Sequence, residues 1–304
     1  MTNLPNEPDQ SDVVNTNNET NKIFPFEIPL FIGPMTIIIA VFVFAPLLII
    51  LGISFIKSGI YGDLIFTFTL DNYKAALGSK YGPVFYRSIL MAAQTNIICI
   101  LIGYPIAYNI ARFGGKWKNM LLFLIIIPSW SSYLIRLYAL KTLIGRKGLL
   151  NTFLINMDII SQPLEILYTQ TAVMIGLIYA WLPFMVLPIY ASIEGLDQSL
   201  LEASADLGSR PFKRFLRVTL PLTKGGLLAG SILCFIPTVG EWLVPQIFGG
   251  SKVMMAGSLV AQKFMGVGNM PQGASLAIML ATTLILILYL AIKFGGKDAM
   301  EKMI

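Results

Sequence analysis

The stretch from Glu194 to Lys224 reads EGLDQSLLEASADLGSRPFKRFLRVTLPLTK and connects two long apolar segments. Its local signals predict two short helices at an angle. Ser199 and Glu202 have the spacing of a capping box, which predicts where the first helix begins. Four residues place an apolar stripe on one face of that helix: Leu196, Leu200, Ala203 and Leu207. The first helix is therefore amphipathic.

The second half of this stretch carries the signals that end one helix and begin another. Gly208 supplies the left-handed position that closes a helix, Pro211 fits a first helical turn, and Pro221 is expected to end the second helix. That helix has an apolar side, Phe212, Phe215 and Leu216, and a basic side, Lys213, Arg214 and Arg217. Apolar faces in a charged loop must be buried, either on the ends of this chain's own helices or on a second subunit.

The segments on both sides of this loop have the composition of a membrane protein. Of 304 residues, 56% are hydrophobic and 12% are charged, against roughly 25% charged in a soluble domain. Apolar runs of roughly 20 residues, enough to cross a bilayer, recur along the chain. Six spanning helices are predicted: Gly33–Phe55, Arg87–Ala111, Asn119–Lys141, Gln170–Ile193, Gly225–Ile247 and Gly273–Lys293. The fold class is an all-α, multi-pass integral membrane protein.

Charge in the short connections predicts the orientation of these spans. The tight link Arg112–Lys118 carries three positive charges and no negative ones, which is typical of a cytoplasmic loop. Counting spans from it puts both termini and the Glu194–Lys224 loop in the cytoplasm as well. Four basic residues then lie outside, in long loops that count little in this rule: Lys74, Lys80, Arg146 and Lys147.

The spans divide the chain into three parts. Residues 1–27 are polar and predict a disordered cytoplasmic tail, because no basic segment and short apolar core mark a cleaved signal peptide. Residues 28–294 form the transmembrane domain, with the loop at 194–224, and residues 295–304 form a second cytoplasmic tail. The outer connections Ile56–Tyr86, Thr142–Thr169 and Phe248–Gln272 are too long for turns, so we expect short interfacial helices on which a partner could dock.

Several classes of function are disfavoured by the composition. The chain has no His, which excludes a His-built metal site or a Ser/His/Asp triad, and no span presents a paired catalytic set. Cys99 and Cys234 lie in apolar spans and predict no disulfide. The net charge of +6 is spread over loops without interleaved aromatic residues, which argues against nucleic acid. We expect no metal, cofactor or catalytic residue in this chain.

One motif in the Glu194–Lys224 loop resembles a known family. The spacing of Glu202-Ala203-Ser204, Gly208, Val218 and Leu220-Pro221 is similar to the EAA motif in permease subunits of ATP-binding-cassette (ABC) importers, with Ser204 and Val218 replacing the usual Ala and Ile. This resemblance implies the type I importer permease fold. It implies that Glu202, Ala203, Ser204, Asp206, Gly208, Pro211, Leu220 and Pro221 form a coupling loop that docks on an ATPase subunit. No phosphate-binding Gly-x4-Gly-Lys-Ser/Thr loop occurs here, so ATP and Mg would bind the partner.

Shorter stretches elsewhere extend the resemblance to one subfamily. They resemble the spermidine/putrescine permeases: Phe68–Tyr73, Leu134–Tyr138, Lys147–Asn151, Leu182–Pro188 and Gly240–Gly250. The resemblance implies a non-catalytic permease in a bacterial inner membrane. Its partners would be a second homologous permease, two ATPase subunits and an extracytoplasmic polyamine-binding protein, with lipid around them.

Glu241 is the leading candidate for contact with a cationic substrate. A carboxylate at membrane depth costs about 2.5–3.5 kcal/mol, so it must face water, a partner or a cation. Trp242 beside it offers a ring face to an ammonium group. Four more aromatic residues are candidates for the same path: Trp130, Tyr133, Tyr179 and Trp181. Each alternative is structural: Glu241 can pair with a Lys or Arg such as Arg136 or lie near the membrane interface, and the aromatic residues can form an interfacial belt or pack helices.

Two alternative functions remain open from the sequence. The first is an importer permease for iron, thiamine or an anion, and the second is a transporter driven by an ion gradient. The first would be recognised by its substrate and the second by the lack of an ATPase partner.

Overall fold

A computed structural model describes residues 27–59, 63–78, 80–265 and 268–295. The predicted tails at 1–27 and 295–304 lie outside the described residues except for Glu27 and Gly295. The chain divides into two units, residues 1–53 and 54–304, which are described separately.

Helix α1 (Glu27–Ser54) makes up the described part of the first unit, and its last residue belongs to the second. It begins earlier than predicted. The 20 residues Met35–Ser54 extend about 30 Å at 1.5 Å per residue, the thickness of a hydrocarbon core. Only Thr36 and Ser54 carry polar side chains in this stretch. A helix that is apolar on every side is suited to lipid.

The second unit is helical apart from one hairpin. Its helices are α2 (Asp71–Leu77), α3 (Gly82–Phe113), α4 (Lys118–Trp130), α5 (Tyr133–Ile144), α6 (Leu149–Asn156), α7 (Gln170–Glu194), α8 (Gln198–Asp206), α9 (Pro211–Arg214), α10 (Leu220–Leu222), α11 (Lys224–Val239), α12 (Ala256–Met265) and α13 (Met270–Gly295). Within the described ranges, α1, α3, α7 and α13 are each long and apolar enough to cross a membrane. Two bent helix pairs bring the count to the predicted six if each pair is one span.

The third predicted span is wrong as a continuous helix. Residues Gly115–Trp130 and Tyr133–Asn156 meet at an angle of 99°. The chain breaks at Ser131, whose backbone is extended and whose N–H and Oγ both donate to the Pro128 carbonyl, at 3.3 and 2.7 Å. Serine side chains compete in this way with helical hydrogen bonds. The span therefore turns sharply near Pro128.

The fifth predicted span also differs, because α11 ends at Val239 and not at Ile247. Gly240 and Glu241 lie in an interruption, and Pro245–Gly249 then form a wide helical turn. Non-helical backbone at membrane depth is tolerated where it is buried in protein or lines a cavity. The interruption therefore marks a place where the protein leaves the regular spanning geometry.

The core of the second unit lies where α3, α7 and α11 pack together. Cys99 and Cys234 are both fully buried in one apolar cluster of this core, as their apolar surroundings in the sequence predict. A second cluster joins α5 and α7 to the wide turn through Leu137, Leu177 and Phe248. These two clusters fix the helices that carry the candidate site residues.

The connections predicted to lie outside contain the short helices that the sequence predicts, namely α2, α6 and α12. One element was not predicted: strands β1 (Ile56–Ser58) and β2 (Leu64–Phe68) form an antiparallel hairpin with Ile56 opposite Phe68. The second strand reads LIFTF, a composition rich in residues that favour strands.

Candidate coupling loop and transport cavity

Helix α8 is the first helix of the coupling loop, residues 194–224. It does not begin with the predicted capping box. Asp197 is its N-cap, and its Oδ1 accepts a hydrogen bond of 2.9 Å from the Ser199 backbone N–H. This hydrogen bond holds the pKa of Asp197 below its usual range. Ser199 lies inside the helix, because the aspartate two residues earlier takes the capping position and accepts from one free N–H of the first turn.

The turn at Gly208 has the predicted left-handed conformation, with a φ of +75°. The Gly208 N–H donates to the Ala205 carbonyl at 2.8 Å, and the Ser209 N–H donates to the Ser204 carbonyl at 3.1 Å. This pair of hydrogen bonds defines a Schellman motif, which satisfies the last carbonyls of α8. Gly208 therefore fixes the direction in which the chain leaves α8.

The second helix of the loop begins as predicted, with Pro211 in its first turn. Its end differs from the prediction. A wide helical turn over Phe215–Thr219 leads into α10, so Pro221 lies within helical structure that continues to Leu222. The change of direction comes after Pro221, where Pro211–Leu222 and α11 meet at 67°.

Apolar side chains of the coupling loop are exposed in this chain. Leu207 is 88% exposed and Phe212 is 74% exposed, while Leu200 and Leu216 are about half exposed. Most of the predicted docking residues are exposed: Glu202, Ala203, Asp206, Gly208, Pro211 and Pro221, with Ser204 and Leu220 partly buried. A patch of this kind marks a protein interaction surface. The sequence predicts that the apolar face is buried either on the ends of this chain's own helices or on a second subunit. The exposure of these side chains favours the second subunit.

A cavity of about 460 Å³ brings together four of the six residues predicted for the substrate path. Tyr133, Trp181, Glu241 and Trp242 line it. The other lining residues are Arg136, Ala180, Phe184, Pro237 and Gly240. Tyr179 lies beside Arg136 without lining the cavity, and Trp130 is 74% exposed and packs edge-on against Phe123.

Glu241 is the acidic group of this cavity, and it is only 7% exposed. Its Oε2 accepts a hydrogen bond of 2.8 Å from the Tyr133 hydroxyl, and its Oε1 accepts one of 3.0 Å from the Leu243 backbone N–H. Among the described residues no Lys or Arg forms a salt bridge with it. The carboxylate is thus oriented by two donors and lacks a cationic partner there.

Arg136 does not form the pair with Glu241 that the sequence left open as an alternative. Its Nη1 donates to the Pro128 carbonyl at 2.6 Å, at the carboxyl end of α4, where a positive charge is favourable. Its guanidinium lies 5.6 Å from the Tyr133 ring centre and 5.9 Å from that of Tyr179. Arg136 therefore makes cation–π contacts with two of the aromatic residues that the sequence predicts for the substrate path.

Trp181 and Trp242 remain as aromatic candidates for a cation in the cavity. Trp242 is 41% exposed. The Trp181 Nε1 is buried and has no hydrogen-bond partner among the described residues. A buried donor without a partner is uncommon, and here it belongs to a side chain of the cavity wall.

Gly257 positions the Glu241 turn, and no pattern in the sequence predicts this role. A Cβ atom at Gly257 would lie 2.1 Å from the Gly240 carbonyl oxygen and 2.7 Å from that of Glu241. Both atoms belong to the backbone, so neither can rotate away. Helix α12 can approach the turn this closely only because residue 257 has no side chain.

Replacing Gly257 with alanine is expected to destabilise the protein by about 1–3 kcal/mol, the usual cost of overpacking. The measurement is the thermal transition of the purified complex. Gly82→Ala is the matched control, since a Cβ atom there meets nothing within 4 Å. Equal transition temperatures for the two variants would contradict the proposed close packing.

Comparison with known proteins identifies the class to which this fold and loop belong. Residues 99–294 match the family described as binding-protein-dependent transport system inner membrane component. The chain belongs to this family and is a multi-pass inner-membrane protein, as the sequence predicts. The assignment favours an importer permease over a transporter driven by an ion gradient.

Particular relatives within the family are spermidine/putrescine transport system permease proteins. The chain is 42% identical over 248 residues to PotB of Haemophilus influenzae, covering 82% of this chain and 87% of the relative. It is 40% identical over 250 residues to PotB of Escherichia coli, covering 82% and 91%. The predicted family and subfamily resemblance is confirmed. Both relatives are named as permease proteins and not as ATPases.

The fold is similar to that of a solved ABC importer. A chain of the bacterial alginate ABC transporter, in complex with an alginate pentasaccharide-bound periplasmic protein, superposes with a TM-score of 0.66. The match covers 90% of this chain and 95% of that chain at 14% identity. This likeness shows the fold of an ABC importer permease.

Proposed function

We propose that this chain is the permease subunit of an ABC importer of polyamines and forms half of the translocation pathway. The observation that carries the proposal is the identity of about 40% to the spermidine/putrescine permeases over four fifths of the chain. The cavity supports it, because a buried carboxylate beside two tryptophans suits an organic ammonium group.

The proposal assigns the chemistry of ATP to other subunits. Two ATPase subunits, carrying ATP and Mg, would contact the exposed coupling loop of this permease and of a second homologous permease. A polyamine-binding protein would deliver the substrate on the opposite side of the membrane. Arg112 and Lys118 contact the coupling loop directly, which supports the prediction that their connection and the loop share one side, the cytoplasm.

In the proposed cycle, ATP binding moves the coupling loop and the spans open the cavity outward. A conformational change of this kind needs contacts that differ between two states. The exposed apolar patch supplies the contact with the ATPase. Glu241 supplies the contact with the cation, which would approach the carboxylate that Tyr133 and Leu243 hold in place.

Transport in proteoliposomes tests the proposal. The chain is reconstituted with its second permease, ATPase subunits and binding protein, and ATP-dependent uptake of labelled spermidine and putrescine is measured. We expect each unlabelled polyamine to compete, and thiamine, iron chelates and molybdate to have no effect. Competition by any of these others but not by polyamines would assign the importer to a different substrate class.

A further inference from the structure

Both ends of the coupling loop contact the helical hairpin formed by α3 and α4. At the beginning of the loop, Arg112 Nη1 donates to Gln198 Oε1 at 3.1 Å, and Lys118 forms a salt bridge with Glu194. Helix α8, which carries the docking residues, begins at Gln198. Both charged contacts therefore lie within the first residues of the loop.

The far end of the loop contacts the same hairpin. The hydroxyls of Tyr104 and Thr223 share a buried hydrogen bond of 2.7 Å. The Phe215 ring packs edge-on against the rings of Tyr104 and Tyr108, at 5.3 and 6.1 Å between centres. The two ends of the loop are thus fixed to α3 and α4, while Glu202–Gly208 remain exposed between them except for the partly buried Ser204.

The Lys118–Glu194 pair differs from the other salt bridges of the described residues. The side chains of Lys118 and Glu194 are 24% and 43% exposed, whereas both members of the other two pairs are at least 70% exposed. Partly buried pairs are screened less by salt and hold their geometry better than exposed ones. Lys118 also lies 5.8 Å from the ring centre of Tyr190 on α7, which adds a second restraint.

The other end of α4 leads to the cavity. Helix α4 has 13 residues, about 20 Å in length, and none of them is buried. After the break at Ser131 the chain continues with Tyr133, whose hydroxyl donates to Glu241. Arg136 ties the two sides of the break together through the Pro128 carbonyl. A lightly packed helix therefore connects Lys118 at the coupling loop with Tyr133 at the cavity.

We infer that α4 transmits movement of the coupling loop to the cavity, with Lys118 at its cytoplasmic end and Arg112 at the adjoining end of α3 as positioning residues. Movement of the coupling loop shifts Lys118 through Glu194, the residue at which α7 ends and the loop begins. Helix α4 carries this shift to Tyr133 and so to the Glu241 carboxylate. The inference rests on the proposed coupling function of the loop, and it adds α4 as a route beside the covalent connections through α7 and α11. Coupling through packed elements requires direct evidence, which charge reversal can provide.

Charge reversal at Lys118 is the first test. In the reconstituted complex, Lys118→Glu and Glu194→Lys are each expected to lower the substrate carried per ATP hydrolysed by about tenfold. The double variant restores the ion pair and is expected to recover most of that ratio. Lys116→Glu is the control, because Lys116 is exposed and forms no ion pair in the described part of the chain. Co-purification of all subunits checks assembly in each case.

A cysteine at the break tests whether movement reaches the cavity end of α4. Ser132 is exposed, while Cys99 and Cys234 are buried, so a thiol reagent would label Ser132→Cys selectively. We expect a non-hydrolysable ATP analogue to change the labelling rate about fivefold, and Lys118→Glu to abolish this change. The control Lys116→Glu should keep the nucleotide-dependent change in labelling rate.

The outcomes separate this inference from the proposed function. If Gly208 variants remain fully coupled, the coupling loop itself is wrongly assigned. If Gly208 variants uncouple while Lys118→Glu keeps both the transport ratio and the nucleotide-dependent labelling at Ser132→Cys, only the role of α4 is overturned. Failure of the double variant to recover the ratio would also overturn the role of the Lys118–Glu194 pair.

Discussion

In a Gly208→Val variant, ATP-driven uptake is expected to fall by about tenfold or more while the chain still inserts and assembles. Gly208 has a φ of +75°, and a β-branched residue is strongly disfavoured there. Valine would break the Schellman hydrogen bonds from Gly208 and Ser209 and turn the chain in another direction as it leaves α8. The exposed docking patch would then lose its shape, and ATP hydrolysis would no longer be linked to transport.

The measurement compares uptake and ATPase activity in the same proteoliposomes, with two further variants as controls. Gly208→Asn is expected to lose less activity than valine, because asparagine tolerates the left-handed conformation. Gly225→Ala changes a glycine whose Cβ would meet nothing within 4 Å, and it should transport normally. Glu202→Gln, like Gly208→Val, should lower uptake relative to ATP hydrolysis. Normal transport by both the Gly208→Val and Glu202→Gln variants would rule out the coupling assignment.

Glu241→Gln is expected to lower polyamine uptake by about 10- to 100-fold, mainly through a higher KM. Losing a charge-assisted interaction costs about 1.5–3 kcal/mol, which corresponds to this range. Glutamine keeps the size of the side chain, and its amide oxygen can still accept from Tyr133 or Leu243. The substitution therefore removes the negative charge while leaving the cavity largely intact.

Initial uptake rates over a range of spermidine concentrations test this expectation. Glu165→Gln is the matched control, since Glu165 is an exposed acid paired with Arg146 and lies outside the cavity. Tyr133→Phe should have a smaller effect, because it removes one donor to the carboxylate and no charge. An unchanged KM in Glu241→Gln would remove Glu241 from the substrate path. An equal loss in Glu165→Gln would mean that the effect is not specific to the cavity.

The sequence predicted the parts of the fold that depend on local chemistry. Apolar length alone located the spans, and the rules for helix ends located Gly208 and Pro211. The same rules failed where two residues competed for one role, as at the start of α8, where Asp197 took the capping position from Ser199. Local signals therefore determined the elements of the coupling loop, with errors of a few residues at their ends.

Bends in the helix axis within a span could not be predicted in the same way. Hydropathy measures how long an apolar stretch is, and it does not detect a bend between two apolar helices. Pro128 and Pro237 both lie in predicted spans, and membrane helices often tolerate proline without breaking. The 99° break depends on Ser131 and Arg136 meeting the Pro128 carbonyl, which is a feature of the folded chain.

The contact between Tyr133 and Glu241 joins residues 108 positions apart. The sequence identifies each residue separately, Tyr133 by its aromatic ring and Glu241 by its charge within a span, and nothing in a single sequence pairs them. Gly257 was missed for the same reason, since its role is defined by backbone atoms of a distant turn. The cavity could be predicted as a set of residue types but not as an arrangement.

The exposed Leu207 and Phe212 have a consequence for the life of the protein in the cell. A copy made without its partner subunits would present these side chains to chaperones and proteases, which recognise exposed apolar segments and remove proteins that remain incomplete. Synthesis in step with the ATPase would protect them. Production of the chain by itself is therefore expected to give a low yield, and co-expression with the ATPase to raise it.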